Sequence, residues 1–193
     1  IKKKKIDKNF FQSVFSEKFS FKNKNTVISD LEKKVFSDNF FDCCFNILSL
    51  NYSSDILNTF VNIYSILKPN GKFICVLPGE DNFLFFRNIF LKYCSSNHNK
   101  TFHPVIDIMS LGSLGQKAGF KNIVVDKTKL RLRLKCPKSI WSFMRAIGES
   151  NALSKRNKLY FGKQNYAYLI REINNKGIDS CSININYFIG YKG

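Results

Sequence analysis

The first glycine in the sequence is Gly71, so the preceding part of the chain lacks the residue that adopts turn conformations most readily. Glycine-rich turns let a backbone come close to a bound nucleotide or nucleoside. No segment before Gly71 can form such a turn. A nucleotide-binding loop of this kind is therefore excluded from the N-terminal third of the chain.

Acidic residues are also scarce. The chain has 14 Asp and Glu against 31 Lys and Arg, which gives a formal net charge of +17. One interpretation is an anionic partner such as nucleic acid, an acidic carrier protein or a membrane surface. The other is a biased background, because Lys, Asn, Phe and Ile are enriched together along the whole chain. Basic residues cluster only at Lys2–Lys5 and Lys127–Lys138, and no nucleic-acid-binding motif is present, so we expect no specific nucleic acid partner.

Long apolar runs and paired metal-ligand motifs are missing as well. No run approaches the length of a membrane span and no signal peptide is recognisable, so we expect a soluble protein with at most peripheral membrane contact. The six cysteines form no CxxC pair and no histidine-linked spacing, which predicts reduced core residues and no metal site.

What the sequence does contain is a clear helix–turn–strand unit. Apolar residues recur at helical spacing from Asp55 to Leu67, and Asp55 can cap the first turn. Lys68–Gly71 predicts the end of the helix and a turn, because Pro69 disfavours a helical Lys68. The apolar run Phe73–Leu77 predicts a strand covered on both faces.

Further strands and helices alternate along the chain. The remaining predicted strands are 10–15, 26–29, 41–50, 122–134 and 181–191, and the remaining predicted helices are 83–93, 107–118, 137–147 and 155–173. This order predicts an α/β fold, a mostly parallel sheet with right-handed crossovers and an antiparallel strand inserted at one edge. Alternation in 122–134 places that strand near a sheet edge, and residues 181–191 alternate Ile and Tyr with Ser and Asn. No linker is visible, so residues 1–193 are expected to form a single domain.

Two segments resemble class I S-adenosylmethionine-dependent methyltransferases (methyltransferase type 11 domain). They are VFSDNFFD at residues 35–42 and ILKPNGKF at residues 66–73. Ser110–Phe120, Gly148–Asn151 and Ile189–Lys192, together with Asp81 and Arg87, are similar to one branch. That branch comprises the mitochondrial respiratory complex I assembly-factor methyltransferase-like proteins and their alphaproteobacterial relatives.

The resemblance implies a Rossmann-like sheet that binds S-adenosylmethionine at the carboxyl ends of its strands. The family's glycine-rich turn after the first strand is missing, so we expect either an N-terminally truncated fragment without its first strand and helix, inactive by itself, or a domain that has lost its hold on the cofactor. Residues 137–175 would form a helical, lid-like insertion. Val14 stands where the family has an acid for the ribose hydroxyls, and truncation does not explain that difference.

The resemblance also implies positions for the cofactor. Asp30 matches the family residue that accepts a hydrogen bond from the adenine amino group, and Leu31 offers backbone N–H beside it. The alternative for Asp30 is a helix N-cap. Asn46, Leu48 and Asn51 would line the pocket near the sulfonium, with Asn51-Tyr52 in the place of the family's His-Trp.

On the substrate side, Asp81 and Arg87 after strand five are candidates, and the alternative for them is a surface ion pair. Glu149 and Asn151 are further candidates, and the alternative for them is a helix cap. The branch implies a protein-modifying methyltransferase in respiratory complex I assembly, located in a bacterial cytoplasm or the mitochondrial matrix. Its substrate would be a respiratory complex subunit or an acidic carrier protein. The alternatives are a non-catalytic assembly scaffold with the same fold, and a malonyl-carrier-protein O-methyltransferase.

Overall fold

The computed structural model describes residues 11–14, 26–30, 32–80, 82, 88, 105–133, 162–175 and 180–193. The strands are β1 (Gln12–Val14), β2 (Thr26–Ile28), β3 (Phe41–Ile47), β4 (Leu67–Pro78), β5 (Phe120–Arg133) and β6 (Ser180–Lys192). The helices are α1 (Ile56–Ile66), α2 (Ile108–Lys117) and α3 (Lys163–Asn175), and a 3-10 turn covers Leu50–Tyr52. Apart from residue 88, the predicted helix 83–93 lies outside the described residues, as do the predicted helix 137–147 and the first part of the predicted helix 155–173.

The described strands form two sheets. β1 pairs with β2 in parallel, and the second sheet has the order β3-β4-β6-β5. β3 and β4 are parallel, whereas β6 runs antiparallel to both β4 and β5. The predicted α/β class, antiparallel last strand and edge position of 122–134 are confirmed, with β6 lying one strand in from the edge that β5 forms.

Helix α1 begins and ends close to where the sequence predicts. The Asp55 side chain accepts the N–H of Asn58 at 2.9 Å, and Phe60 on the apolar stripe is fully buried. Phe60 meets the rings of Phe73 and Phe188 edge-on, with centroids 5.3 and 5.1 Å apart. These contacts fix α1 across one face of the second sheet.

Strand β4 begins earlier than predicted. The predicted turn at Lys68–Gly71 is a bulge at the start of the strand, where pairing moves from Phe41–Leu67 to Cys43–Lys72. Asn70 has φ 62°, and a Cβ on Gly71 would lie 2.8 Å from the carbonyl oxygen of Lys68. Lys68–Gly71 therefore form a bulge within β4, where this strand has more residues than the paired part of β3.

Other boundaries differ for local reasons. β3 stops at Ile47 rather than at residue 50, because Leu48 takes a left-handed conformation with φ 53°. Helix α2 begins after Asp107, whose side chain accepts the N–H of Ser110, and Gly119 follows the helix with φ 98°. Among the described helices, none has the length and apolarity that crossing a bilayer requires.

Candidate functional site

A cavity of about 290 Å³ lies between the two sheets. It runs along β3 from Phe41 to Asn46 and is closed on the other side by Phe11–Ser13 and by Ser29 and Asp30 after β2. Its volume is near the lower end of the roughly 300–1,000 Å³ typical of small-molecule sites. Two predicted cofactor residues therefore line the same cavity: Asp30, which follows β2, and Asn46, which lies near the end of β3.

Asp30 sits in a turn and not at the start of a helix. Its Oδ1 accepts the N–H of Glu32 at 3.1 Å, and its carbonyl oxygen accepts the N–H of Lys33 at 3.1 Å. Residues 32–40 contain turns and bends without a helix, so the helix-cap alternative for Asp30 is wrong. The turn holds the Asp30 carboxylate at the rim of the cavity.

Glu32 anchors this turn to α1. One carboxylate oxygen accepts from the backbone N–H groups of Ser54 and Asp55 and, at 3.1 Å, from the hydroxyl of Ser53. The hydrogen bond from the Ser54 backbone is the main cause that lowers the pKa of Glu32. The Glu32 carbonyl also accepts the amide N–H of Asn62 at 2.9 Å. Sequence reasoning missed Glu32, whose partners lie more than twenty residues away.

Three predicted cofactor residues surround the end of β3. Asn46 is 6% exposed, and its Oδ1 accepts the hydroxyl of Ser49 at 3.0 Å. Leu48 points outward, with 44% of its surface exposed, and Asn51 is buried in the 3-10 turn. The Asn51 Oδ1 has no donor among the residues that the structure describes. Leu48 and Asn51 do not line the cavity, whereas Asn46 does.

The remaining predicted site residues lie outside the described residues: Leu31, Asp81, Arg87, Glu149 and Asn151. Of the predicted lid 137–175, the structure describes residues 162–175, in which α3 buries Leu169 and Ile173.

A polar cluster at the carboxyl end of β4 was not predicted. The Glu80 carboxylate accepts from Lys127 and, at 3.3 Å, from the amide of Asn186, and the Lys127 hydrogen bond is the main cause that lowers the pKa of Glu80. The amide of Asn184 donates to the Glu80 carbonyl at 2.7 Å. Asn184 and Asn186 are 3% and 0% exposed. The face of β6 that carries these two polar residues is therefore buried. Each amide nitrogen donates to a backbone carbonyl, that of Glu80 for Asn184 and that of Ile106 for Asn186 at 2.8 Å, whereas neither Oδ1 has a donor among the described residues.

A more open groove of about 730 Å³ lies beside this cluster, between the first turns of α1 and α2. Its walls are formed by residues 53–57 and by residues between Val105 and Lys117. Both helices begin at the carboxyl edge of the sheet, because α1 follows β3 and α2 precedes β5, which is parallel to β4. The groove therefore lies at the edge where ligands of α/β sheets bind, which is also the edge at which Asn46 lines the cavity.

The thiols near the cavity are poor nucleophiles. Cys43, Cys44 and Cys75 are free, and burial raises the pKa of Cys44 and of Cys75 to about 12. A thiol with such a pKa stays protonated near neutral pH, so these cysteines serve packing.

Comparison with known proteins finds methyltransferases among the similar sequences and structures. Residues 6–75 match a family described as "Methyltransferase domain". The human mitochondrial arginine-hydroxylase NDUFAF5 is 28% identical over 177 residues, covering 86% of this chain and 50% of that protein. The Rickettsia prowazekii methyltransferase RP459 is 27% identical over 158 residues, covering 80% of this chain and 70% of that protein.

Similarity also extends to a malonyl-[acyl-carrier protein] O-methyltransferase from Gallionella capsiferriformans, 26% identical over 75% of this chain and 49% of that protein. The chain spans about half the length of this relative and of the human one. Among solved structures, the Bacillus halodurans methyltransferase BH2331 superposes with a TM-score of 0.59 at 11% identity, covering 89% of this chain and 73% of the other. Residues 6–75 thus resemble a methyltransferase domain, and the fold of the chain is similar to that of this solved methyltransferase.

Proposed function

We propose that the full-length protein binds S-adenosylmethionine with the adenine beside Asp30 and the sulfonium end toward Asn46. The observation that carries this proposal is that both residues line one cavity, Asp30 just after β2 and Asn46 near the end of β3. A carboxylate can accept the adenine amino hydrogens, and the amide oxygen of Asn46 is a polar group suited to the opposite end of the ligand. When bound, the cofactor supplies an electrophilic methyl group.

The ribose hydroxyls need acceptors that Val14 cannot provide. Ser13 lies on β1, which ends at Val14, and Ser29 directly follows β2. Both serines line the cavity, and their hydroxyl oxygens lie 2.6 Å apart. We assign the contact with the ribose to this serine pair. Neutral hydroxyls would replace the charged acceptor of the family, so the ribose contact is expected to be weaker than with a carboxylate.

The chain's own contribution to methyl transfer would be positioning and exclusion of water. Glu32 ties the Asp30 turn to the first turn of α1, which keeps the adenine side of the cavity fixed relative to the sheet. The open groove between α1 and α2 reaches the same edge, and we assign the approach of the methyl acceptor to it.

For the acceptor we propose a protein side chain of a respiratory complex I subunit, with modification during assembly. The support is the resemblance of residues 110–120, 148–151 and 189–192 to the complex I assembly-factor branch, together with the similarity to NDUFAF5, which is named an arginine-hydroxylase. A second candidate is the carboxyl of an acyl group on a carrier protein, supported by the O-methyltransferase relative and by the net charge of +17, which suits an acidic carrier. A non-catalytic scaffold with the same fold is the third.

Calorimetry on the full-length protein tests the cofactor proposal. Asp30→Asn should weaken S-adenosylmethionine binding by about 10- to 100-fold, because a hydrogen bond to a charged group is lost. Asp126→Asn, at an exposed position on the far edge strand, is the matched control and should bind as the parent does. If the parent protein does not bind S-adenosylmethionine, the non-catalytic scaffold is the remaining candidate. If both variants bind equally well, Asp30 does not contact the cofactor.

A carrier-protein substrate is distinguished from a respiratory subunit by labelled methyl transfer. Incorporation into a malonyl-loaded carrier protein, and not into isolated complex I subunits, would favour the second candidate. The reverse pattern would favour the first, and binding of the cofactor without transfer to either would point to the scaffold.

A further inference from the structure

Strands β5 and β6 continue beyond the end of β4. The last pair between β4 and β6 joins Pro78 to Ile185, and Ile185 also pairs with Thr128 of β5. Past that point, residues 129–133 and 180–184 pair with each other. We call this two-stranded extension the ribbon. Because β5 runs parallel to β4, the ribbon extends from the carboxyl edge of the sheet, at which the open groove lies.

The base of the ribbon is fixed to the sheet and to the groove. The Asn82 side chain forms hydrogen bonds with both the N–H and the carbonyl of Asn184. Asn186, which pairs with Lys127 just before the ribbon, donates to the carbonyl of Ile106 at 2.8 Å. Ile106 lines the groove. The ribbon is therefore held beside the groove to which we assign the approach of the methyl acceptor.

One face of the ribbon is basic. Successive side chains of a strand point to opposite faces, so Lys129, Arg131 and Arg133 share a face, and all three are exposed. Arg131 donates to the hydroxyl of Ser180 at 3.2 Å. Among the described residues, no carboxylate forms an ion pair with any of the three. This face therefore carries three positive charges that are not neutralised within the part of the chain that the structure describes.

A general enrichment of Lys does not explain this face. The chain has 25 lysines but only six arginines, and two of the six stand at positions 131 and 133. A background that favours Lys along the whole chain gives no reason for two residues of a scarce type to share one face of one strand. The arginines therefore indicate a specific use, and Arg is the cation that pairs best with carboxylates.

The basic side chains follow a strand edge. Among the described strands, β5 pairs only with β6, so its outer edge offers backbone donors and acceptors to another strand. Alternate residues of a strand lie about 6.8 Å apart, and the three charges form a row about 14 Å long. An extended polypeptide repeats its side chains at the same interval. Acidic residues at every second position would lie across from the basic side chains, as opposite charges do in stable sheets.

Other occupants match the edge less well. A second copy of this chain would set the cations of one β5 edge against those of the other, which destabilises a strand pair. Single-stranded nucleic acid needs aromatic side chains on which its bases stack, and a membrane surface needs apolar side chains beside the cations. The residues that pair with the three basic ones are Asn184, Ser182 and Ser180, which supply neither.

We propose that the outer edge of β5 at the ribbon docks an acidic, extended segment of the polypeptide that carries the methyl acceptor. The segment pairs with β5 as one further strand and sets its acidic side chains against Lys129, Arg131 and Arg133. Its place beside the groove brings the acceptor protein to the carboxyl edge of the sheet. The role in presenting the acceptor rests on the proposed function, whereas the docking of an acidic strand does not.

Fluorescence anisotropy on the full-length protein tests the docking. The probe is a fluorescein-labelled octapeptide in which Glu and Thr alternate, and the parent should bind it. The double variant Arg131→Gln, Arg133→Gln should bind it about 3- to 30-fold more weakly, because each opposite-charge pair across two strands changes affinity by up to about fivefold. The matched control removes two exposed lysines elsewhere, Lys72→Gln with Lys121→Gln, and should bind as the parent does. No binding by the parent, or equal losses in both double variants, would overturn the proposal.

Two further measurements separate strand pairing from attraction by net charge. A peptide of the same composition with its four Glu before its four Thr should bind more weakly, because its charges do not recur at alternate positions. The alternating peptide should also slow amide exchange in residues 129–133. The proposal is wrong if the two peptides bind equally, if these amides are unaffected, or if oligouridylate or anionic phospholipid vesicles bind more tightly than the alternating peptide.

Failure of the docking can be told apart from failure of the proposed function. The anisotropy measurement contains no S-adenosylmethionine, so a parent that binds the peptide but not the cofactor would refute the methyltransferase proposal and support the docking strand. If methyl transfer occurs, the Arg131→Gln, Arg133→Gln variant should raise KM for the protein substrate and leave the affinity for S-adenosylmethionine unchanged. An unchanged KM in that variant would refute the role in presenting the acceptor.

Discussion

Two glycines of α2 should respond to the same substitution with opposite signs. A Cβ on Gly115 would lie 2.7 Å from Cζ of Phe188, closer still to Cε2 of that ring, and 3.1 Å from Cδ1 of Ile123. Phe188 is fully buried in the sheet, so the ring has no free space to move into. A Cβ on Gly112, three residues earlier, would make ordinary contacts with Val125 at 3.9 Å.

The expected magnitudes follow from that difference. Replacing a helical glycine by alanine stabilises by about 1 kcal/mol, which should be the whole effect of Gly112→Ala. Gly115→Ala gains the same amount but overpacks the core, at a cost of about 1–3 kcal/mol and in this case toward the upper end. We expect Gly112→Ala to raise the free energy of unfolding by about 1 kcal/mol and Gly115→Ala to lower it by about 1–2 kcal/mol.

Urea denaturation of the full-length variants measures both effects. A shift of the two midpoints in opposite directions, with unchanged slopes, supports the placement of α2 against β6. If Gly115→Ala were as stabilising as Gly112→Ala, the close approach of α2 to Phe188 would be refuted.

Three further substitutions probe the site and its supports. Lys192→Met should lower the free energy of unfolding by about 2 kcal/mol, because the Lys192 ammonium donates to the carbonyls of Leu67 at 2.8 Å and Ser65 at 3.2 Å at the end of α1. Lys129→Met on the edge strand is the control, and its free energy of unfolding should stay within about 0.5 kcal/mol of the parent's in thermal or urea unfolding. Glu32→Gln should lower the free energy of unfolding near neutral pH. Because the folded pKa of Glu32 is lowered, the parent should remain more stable than the variant above about pH 4.3, and this difference should disappear as the pH falls further through the folded pKa. A difference in unfolding free energy that stayed constant from pH 7 to pH 3 would contradict this. Replacing Ser13 and Ser29 together by alanine should weaken binding of S-adenosylmethionine more than binding of methionine, and equal losses for both ligands in calorimetry would argue against a ribose contact.

Elements with a local signal could be predicted from the sequence. Helix α1 has an apolar stripe and the Asp55 cap, and both features act within a few residues, so its bounds agree with the structure. β4 was predicted too short, because Pro69 and Gly71 indicate a turn by their own preferences. Only the pairing with β3 makes that turn a bulge inside a strand.

The missed parts of the site depend on distant partners. Glu32 gives no local pattern, and its role comes from the N–H groups of Ser54 and Asp55, which only the fold brings near it. Asn184 and Asn186 alternate with apolar residues in the way that a half-exposed strand does. Their amide nitrogens donate to the carbonyls of Glu80 and Ile106, and no pattern in the sequence indicates that these groups lie close together. Asp30 and Asn46 were assigned through the family resemblance, and the structure brings both to the lining of one cavity. Their contact with the cofactor stays a prediction.

The most direct test of the central claim is a crystal structure of the full-length protein with S-adenosylhomocysteine. The account predicts the adenine amino group within about 3 Å of the Asp30 carboxylate and the sulfur end near Asn46. A ligand bound away from the carboxyl ends of β2 and β3, with neither residue in contact, would contradict it.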